Sequence, residues 1–584
     1  MASIAGLAYQ GFWWLSRGLV WLLYGGKTSR LRDQLEAAGM RIYPEAYLSM
    51  VGFFLVVTSS LAAIAVAFTG LFPVSLLPVM VLLIGYALPS IRAQDRASKL
   101  DVEAPFVAAY VSVMATGGMS PYASLKRLKS CDLLPNTAKM AKRMEVDVLL
   151  RGLDPVAAIE KSAEKLPSKE YKEFLIGYTY TLRTGGDVVH YLMTRTEVMF
   201  RDLATKLKAF GERAAVLLES YIAIAILSTL GLSIAFLTSM AFAGFFQGGF
   251  TAESYLLYSY IIMPVLSILF IYLADLSSFQ EPVYETAPYK VYAATMPLTF
   301  FLVIVMFLPF LVPELTAAMP IAKPFKNLLT SFRELLGLDR GVEPAIGLGI
   351  ALVVGTIPAM VAHDYYEKRR GKGLVYEVTN FLRDLTEARK TGASPEACVA
   401  QLSNRSYGAF TKHLRIVARQ LRWGMPFRVV YETLKRRISS WMALINLYLL
   451  VDAIEVGGGS PETLETMAKF GEMQASLEKE RMAILRPLMI MPYIGAALMV
   501  FSTLVTVYFM YSAVMTMARV PVPFAQLLST IAPTLVLLSY IMGLVTGKVS
   551  KGAVSAGFKH AIVLTIIAMA TTVVMPMLRI AMPF

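Results

Sequence analysis

Cysteine, histidine and charged residues are all scarce in this sequence, and each scarcity excludes a class of protein. The chain has two cysteines, Cys131 and Cys398, which lie far apart, so we exclude a disulfide framework and expect buried thiols. The four histidines are dispersed without the spacing of metal ligands, so no metal site is expected. Only 16% of the 584 residues are charged, whereas 56% are hydrophobic. This composition is typical of a membrane protein with several spans.

Motifs of nucleotide hydrolysis and intramembrane proteolysis are also missing. A phosphate-binding loop ends in Gly-Lys-Ser/Thr, but the one near match, at 26–28, lacks the first glycine of the loop and follows a hydrophobic helix. The Gly-x-Gly-Asp turn of membrane aspartyl peptidases has a near match at 184–187, which lacks the first glycine and lies in a charged segment. We therefore expect neither enzymatic activity nor a bound cofactor.

Basic residues exceed acidic ones and give the chain a net charge of +14. In a membrane protein such an excess usually reflects the positive-inside rule and contact with anionic lipid headgroups. We interpret the basic runs at 126–129, 139–143 and 435–437 as solvated or lipid-facing surfaces, with docking to an acidic partner protein as the alternative. These runs lack the interleaved aromatic residues that bind single-stranded nucleic acid, so no nucleic-acid partner is expected.

Nine apolar segments are long enough to cross a lipid bilayer, which takes about 20 residues. The predicted spans are 47–69, 71–90, 214–243, 254–275, 291–313, 344–363, 487–517, 523–546 and 560–580. Between them lie two segments of about 120 residues with charged side chains at helical spacing, and each is long enough to close a small core of its own. The sequence therefore predicts an all-α polytopic membrane protein with about nine transmembrane helices and two cytosolic helical bundles.

This alternation divides the chain into six predicted regions. They are the N-terminal amphipathic cytosolic or interfacial helices 1–46, a transmembrane hairpin 47–90, the first bundle 91–213, four spans within 214–363, the second bundle 364–486 and three spans within 487–584.

The distribution of basic residues predicts the orientation. Lys and Arg concentrate in the two bundles and at 548–559, so the positive-inside rule places the N-terminus and both bundles in the cytosol and the C-terminus outside the cell membrane. The outer loop 314–343 is an exception, because it holds four basic residues that four acidic residues balance. Residues 3–24 are interrupted by Arg17, which favours a helix on the membrane surface over a span. The apolar run 12–24 has no basic residues before it and no cleavage site after it, so no signal peptide is expected.

Three short motifs occur in both charged segments, in the same order and at nearly constant spacing. Ser-Pro ends the motifs at 116–121 and 391–395, and its two serines are 274 positions apart. An L-R-G-L-D-P sequence at 150–155 matches L-R-W-G-M-P at 421–426, with the prolines 271 positions apart. A glycine pair near 185 matches the triple glycine around 458 at an offset of 273. This regularity indicates an internal duplication, so the two predicted bundles are homologous.

Each motif has a local physical meaning. A serine before proline supplies a helix N-cap ahead of a residue that suits the first helical position, and a preceding glycine can end a helix in a left-handed conformation. The motifs therefore predict tight corners between helices, although a glycine there would also let the backbone of a partner approach closely. The candidate structural and partner-binding residues are Gly117, Gly118, Ser120, Pro121, Arg151, Gly152, Gly185, Gly186, Gly392, Ser394, Pro395, Arg422, Gly424, Gly457 and Gly458.

With these corners repeated in two helical bundles, the sequence resembles the type II secretion system F superfamily. These are the membrane platform proteins of type II secretion, type IV pili and, in the archaeal branch, archaella and adhesive pili. The segment 35–48 resembles the leading segment of the archaeal branch, and the nine-span layout also points to the archaeal form. Against the family pattern, Trp423 stands where a glycine is expected, and Ala393 follows Gly392 where Gly-Gly is expected.

The resemblance implies a non-enzymatic platform with defined partners. A hexameric secretion ATPase in the cytosol would move the bundles, and the spans would insert or extract pilin-like or archaellin-like subunits from the lipid bilayer. It further implies a homodimer, and charge reversal at Arg151 or Arg422 is expected to weaken filament assembly. The alternative hypothesis is a polytopic transporter with cytosolic regulatory domains, for which Glu219 is the one ionisable candidate within the spans.

Overall fold

The computed structural model of the chain describes residues 28–40, 42–69, 77–241, 251–276, 286–312, 319–371, 373–457, 459–517 and 524–581, and the isolated positions 9, 13, 18 and 19. Every element in these ranges is helical, which confirms the predicted all-α fold. The expected interfacial helix within 3–24, the turn at Gly70, most of the connection 244–253 and the candidate residue Gly458 lie outside the described residues.

The helices are numbered in chain order. The first group is α1 Thr28–Ala37, α2 Pro44–Thr69, α3 Leu77–Thr116, α4 Pro121–Arg127, α5 Pro135–Arg151, α6 Pro155–Glu164, α7 Lys169–Arg183 and α8 Val188–Ala241. The second is α9 Ala252–Leu257, α10 Met263–Leu276, α11 Ala287–Met306, α12 Leu308–Leu311, α13 Ala322–Leu335 and α14 Glu343–Arg370. The third is α15 Leu374–Lys390, α16 Pro395–Leu402, α17 Phe410–Arg422, α18 Phe427–Lys435, α19 Trp441–Gly457, α20 Pro461–Leu488, α21 Met491–Met517, α22 Phe524–Lys551 and α23 Gly557–Ala581.

The predicted duplication is visible as two series of six helices, which we call the first module, α3–α8, and the second module, α15–α20. The second to sixth helices of the two series begin 272 to 275 positions apart. At the first corner, the Ser120 and Ser394 hydroxyl oxygens accept the N–H of Ala123 at 3.3 Å and of Ala397 at 3.2 Å. Helices α4 and α16 therefore begin with the same cap.

The second corner, between α5 and α6 in the first module and between α17 and α18 in the second, corrects the alignment of Trp423 with Gly152. Gly152 and Gly424 both have a left-handed backbone, with φ of 63° and 74°, and each stands three residues before the first residue of the next helix. Because this conformation suits glycine and ends helices, Gly424 is the equivalent of Gly152. Trp423 therefore corresponds to Arg151, and the second module keeps the expected glycine.

The two modules share one core instead of closing two separate ones, because helix α19 of the second module packs against the first module. Every residue from Trp441 to Ile454 is buried, and one continuous apolar cluster joins side chains of both modules. The equivalent helix of the first module, α7, is amphipathic and leaves Ile176 and Tyr180 exposed. A helix that is apolar around its whole circumference must be covered on all sides, which accounts for the difference.

Two helices of the first module continue without a break into segments that the sequence predicts to span the membrane. Helix α3 passes through residue 91 and helix α8 through residue 214, which are predicted region boundaries. In the second module the equivalent connections are interrupted, since α14 and α15 are separated at Gly371 and Gly373, both with positive φ, and α20 ends before α21 begins. The two modules are therefore attached to the membrane helices differently.

Seven helical segments in the described ranges are long and apolar enough to cross a membrane. They are Val188–Met240, Ala252–Asp275, Ala287–Leu311, Glu343–Lys390, Pro461–Val514, Phe524–Lys551 and Val554–Met575. These segments coincide with seven of the nine predicted spans, which confirms a multi-pass membrane protein. The first two predicted spans fall on α2 and the start of α3, with 70–76 outside the described residues, and they remain a prediction.

Glycine permits the closest crossing among the spans, between α22 and α23. A Cβ atom on Gly547 would collide with the backbone of Gly557, and one on Gly543 would collide with the backbone of Ala561. Small residues that let two backbones approach are a common way of packing helices in lipid. Gly231 in α8 is the contrasting case, because it is exposed and a Cβ atom there would meet nothing within 4 Å.

We predict that Gly547→Ala destabilises the protein by about 1–3 kcal/mol, because the added methyl group forces α22 and α23 apart. Gly231→Ala is the matched control and should leave stability unchanged. Thermal unfolding of the full chain in detergent micelles, followed by tryptophan fluorescence, measures both. Equal unfolding midpoints for the two variants would show that the crossing is not tightly packed.

Candidate functional site

The junction between the modules is built around one buried carboxylate, that of Asp452 on α19. The side chain of Asp452 is fully buried. Its oxygens accept the Tyr110 hydroxyl at 2.5 Å, an Arg127 guanidinium N–H at 2.9 Å and an Arg428 guanidinium N–H at 3.0 Å. Burying an ionised carboxylate is costly unless charged and neutral donors surround it, and these three groups supply them.

The donors to Asp452 come from both modules. Tyr110 is on α3 and Arg127 ends α4 in the first module, whereas Arg428 is on α18 in the second. Arg127 also lies 3.6 Å from Glu455, and the Arg428 guanidinium lies 5.1 Å from the centre of the Tyr448 ring. The charge cluster therefore fastens the first module to the second.

The pKa shifts of Tyr110 and Arg127 favour their hydrogen bonds to Asp452. Burial, followed by the charge of Asp452, raises the pKa of the Tyr110 phenol far above its ordinary value, so the hydroxyl remains a donor at physiological pH. The hydrogen bond to Asp452 is the largest cause that raises the pKa of Arg127. Tyr110 and Arg127 therefore both keep the protons that they donate to the Asp452 carboxylate.

Further contacts cross the junction at both ends of α19. At its start, the Trp441 indole N–H donates to the Leu133 carbonyl oxygen at 2.8 Å, and its ring lies 4.7 Å from that of Phe106. Nearby, Lys435 and Asp132 form a 2.8 Å ion pair on the surface. The junction thus combines aromatic packing in its interior with an exposed salt bridge at its edge.

Two candidate glycines meet at the other end of α19. A Cβ atom on Gly457 would lie 3.6 Å from the Cα atom of Gly117, and one on Gly117 would lie 3.5 Å from the Thr463 hydroxyl oxygen. The close backbone approach considered for these glycines therefore occurs within the chain, between its modules. Both distances are ordinary van der Waals contacts, so alanine would fit at either position.

The other candidate glycines and capping residues form corners. A left-handed backbone is found at Gly118, Gly152, Gly185, Gly392 and Gly424. Pro121 and Pro395 start α4 and α16 after their serine caps. Gly186 begins the next turn, and its N–H donates to the Thr181 carbonyl oxygen at 2.9 Å. At the third corner of the second module, Gly459 has the positive φ, beside Gly457 and the undescribed Gly458.

The two candidate arginines differ in environment. Arg151 forms a 2.8 Å ion pair with Asp147 one turn earlier in α5, whereas Arg422, the last residue of α17, is exposed and has no acidic partner among the described residues. The near match to a peptidase turn is also a corner, since the Asp187 carboxylate accepts the His190 N–H at 3.0 Å and caps α8. It has the role that Ser460 has at the start of α20.

Chemically reactive groups are shielded in the described part of the chain. No group of three or more His, Cys, Asp or Glu residues there is arranged to hold a metal ion. Cys131 and Cys398 are both buried, as predicted. Burial raises the pKa of the Cys131 thiol to about 11, which leaves it protonated and unreactive.

Sequence reasoning missed the Asp452 cluster and the burial of α19. One signal was available, because residues 441–454 are apolar except for Asn446 and Asp452. A single acidic residue inside an apolar helix generally has a specific partner. The identities of those partners were not readable, since Tyr110 and Asp452 are 342 positions apart.

Comparison with known families finds one domain twice on the chain. The model described as type II secretion system, protein F, matches residues 107–235 and again residues 381–508. The protein carries two type II secretion system F domains. Proteins of this family are membrane platform proteins of secretion and pilus machinery. Both F domains include their corner motifs, and all four residues of the Asp452 cluster fall within them.

A curated archaeal protein resembles the chain over much of its length. An uncharacterized protein of Methanocaldococcus jannaschii is 20% identical over 420 residues, which cover 69% of this chain and 67% of that protein. No solved structure matches the chain.

We predict that Asp452→Ala costs about 3 kcal/mol of stability, because it leaves two guanidinium groups side by side without their shared carboxylate. In a double-mutant cycle with Arg127→Ala, the two changes should be non-additive by at least about 0.5 kcal/mol. Asp132→Ala is the control, since it removes an exposed ion pair from the same junction and should cost under about 1 kcal/mol. Denaturant unfolding of the full chain measures all three. Similar losses for Asp452→Ala and Asp132→Ala would contradict a central role for Asp452.

Proposed function

We propose that this protein is the integral membrane platform of an archaeal type IV pilus-like machine, which builds an archaellum or an adhesive pilus. In this role it couples a cytosolic hexameric secretion ATPase to the insertion or extraction of pilin-like subunits. The observation that carries the proposal is mechanical: two F domains are fastened into one helical body by the Asp452 cluster, and helix α8 of that body continues into a candidate span.

The continuous helix α8 is the clearest path for transmitted motion. Its 54 residues run from the corner at Asp187 to the far end of a candidate span. At 1.5 Å per residue this is a rod of about 80 Å. A displacement applied to the first module would reach the membrane through this rod, and the second module would move with the first because the junction joins them.

The proposed orientation has the N-terminus and both modules in the cytosol and the C-terminus outside. Of the four basic residues in the loop that formally opposes it, Arg333 is compensated: it lies 2.8 Å from Glu343 and 2.7 Å from Glu334. A basic residue bound by two acidic neighbours presents little free positive charge. The lipid bilayer and a second copy of the chain complete the proposed set of partners, the latter from family resemblance.

The transporter hypothesis loses its one candidate residue. Glu219 is exposed on the outer surface of α8 and does not face the interior of the helix bundle. Several buried hydroxyl groups in the described spans pair with each other, as in the 3.0 Å contact of Tyr221 with Ser267 and the 2.9 Å contact of Thr356 with Tyr540. Such pairs are the usual way of satisfying hydroxyl groups between membrane helices.

We predict that inserting Gly-Ser-Gly between Lys208 and Ala209 abolishes filament assembly while ATPase binding persists, because the insertion interrupts α8 between module and span. The same insertion immediately after Gly371 is the control and should be tolerated, since Gly371 follows the end of α14 and has a positive φ. Electron microscopy of cells counts filaments, and co-purification measures ATPase binding. Normal filaments in cells that lack the whole protein would refute the platform function.

A further inference from the structure

Helix α17 carries a row of basic side chains along one face, which we call the basic ridge. Its members are Lys412, Arg415, Arg419 and Arg422, all exposed. Spacings of three and four residues bring them to the same side of the helix. The opposite side, with Phe410, Leu414, Val417 and Leu421, is buried in the second module. Lys412 and Arg422 are ten positions apart, so the ridge is about 15 Å long.

The basic ridge has no acidic partners within the described chain. None of its four side chains takes part in an ion pair there, and α17 itself contains no Asp or Glu. Arg437 adds to the positive charge nearby, because it acts with Lys412 on His413, where Glu377 is the opposing charge. Burial, followed by these two cations, lowers the pKa of His413, so the histidine is neutral at pH 7.

The equivalent helix of the first module, α5, is different. When Gly152 is matched to Gly424, Asp147 occupies the position of Arg419 and Leu150 that of Arg422. Helix α5 also carries an acidic residue of its own, Glu145, which lies 2.7 Å from Lys129 and 3.5 Å from Lys126. Besides Arg151, its exposed cations are Lys139, Lys142 and Arg143, and only Arg143 stands at a ridge position, so the row of four cations is a property of the second module and not of the repeated fold.

An exposed tryptophan extends the ridge at its C-terminal end. The side chain of Trp423 is 72% exposed, directly after Arg422, and Val429 on the next helix is 51% exposed. Arginine and tryptophan are the residue types that contribute most to protein–protein binding, and an exposed tryptophan is otherwise unfavourable in water.

The placement of Trp423 favours a protein partner over the bilayer. The start of α17 contacts the start of α15, because the Phe410 N–H donates to the Glu377 carboxylate at 2.9 Å. Helix α15 in turn follows the membrane-spanning α14. The end of the ridge nearest that span is therefore Lys412, and Trp423 lies at the opposite end. A bilayer contact would place the tryptophan at the lipid interface.

We propose that the basic ridge and Trp423 form the docking surface for an acidic face of the secretion ATPase, so that the ATPase contacts the second F domain and not the equivalent helix of the first. This inference rests on the platform function proposed above. Charge complementarity identifies the partner surface: four cations within about 15 Å require a matching group of carboxylates.

The test compares charge reversals in the full chain, reconstituted in nanodiscs of uncharged zwitterionic lipid. Arg419→Glu with Arg422→Glu should weaken binding of the purified ATPase at least tenfold at low salt. Lys169→Glu with Arg201→Glu changes the charge equally at exposed positions away from the ridge, and should bind like the wild type. Arg419→Lys with Arg422→Lys keeps the charge and should retain most of the binding. Trp423→Ala should weaken binding without altering its salt dependence.

The outcomes separate this inference from the proposed function. If the wild type binds the ATPase and the ridge variant binds equally well, the docking surface is refuted while the platform function stands. If the wild type does not bind and cells lacking the protein still form filaments, the platform function fails first. If hydrogen exchange in 410–422 slows on adding anionic lipid and not on adding the ATPase, the ridge contacts the membrane and the proposal is wrong.

Discussion

The burial of the Asp452 carboxylate is the constraint on which the rest of the structure depends. A carboxylate in that position is tolerable only while Tyr110 and Arg127 of one module and Arg428 of the other remain within hydrogen-bonding distance. Separation of the modules would strip away two of its three donors and expose the apolar surface of α19 at the same time. Loss of hydrogen bonds to Asp452 and exposure of apolar surface therefore both oppose separation of the modules, so the two F domains form one body.

The duplication produces two modules that have the same order of helices and corners but differ in their surroundings. Corners with glycine and a capping residue recur at equivalent positions, because they are set by local backbone chemistry that both copies retain. The copies diverge where each meets its surroundings. The second module contributes the buried helix α19 and the unpaired basic ridge, whereas the first contributes the unbroken helices α3 and α8. In the proposed function the second copy provides the surface for the ATPase, and the first provides the unbroken helical connection to the membrane region.

Features that depend on residues close together along the chain could be predicted from the sequence. Seven spans, the repeat and the corner at Ser120 follow from apolar length, spacing and capping chemistry, and the structure contains them. The shared core was not readable, because the prediction of separate bundles rested on segment length, and only tertiary packing reveals that α19 is covered by the first module. Trp423 was aligned wrongly because the leading Leu-Arg pair fixed the register, whereas the left-handed glycine is what determines the corner. Arg422 was singled out, but its unpaired neighbours on α17 were not.

The distance between Tyr110 and Asp452 along the chain also has a consequence for biogenesis. The ribosome completes the first module, which ends at Ala241, 200 residues before α19 begins at Trp441, and three predicted spans must enter the bilayer in the interval. Throughout that time the surface destined for α19 is uncovered. Closure of such a long loop is slow and leaves apolar surface open to wrong partners. The nascent chain is therefore most vulnerable to aggregation midway through its synthesis, and a truncated product ending before residue 441 would lack the helix that completes its own core.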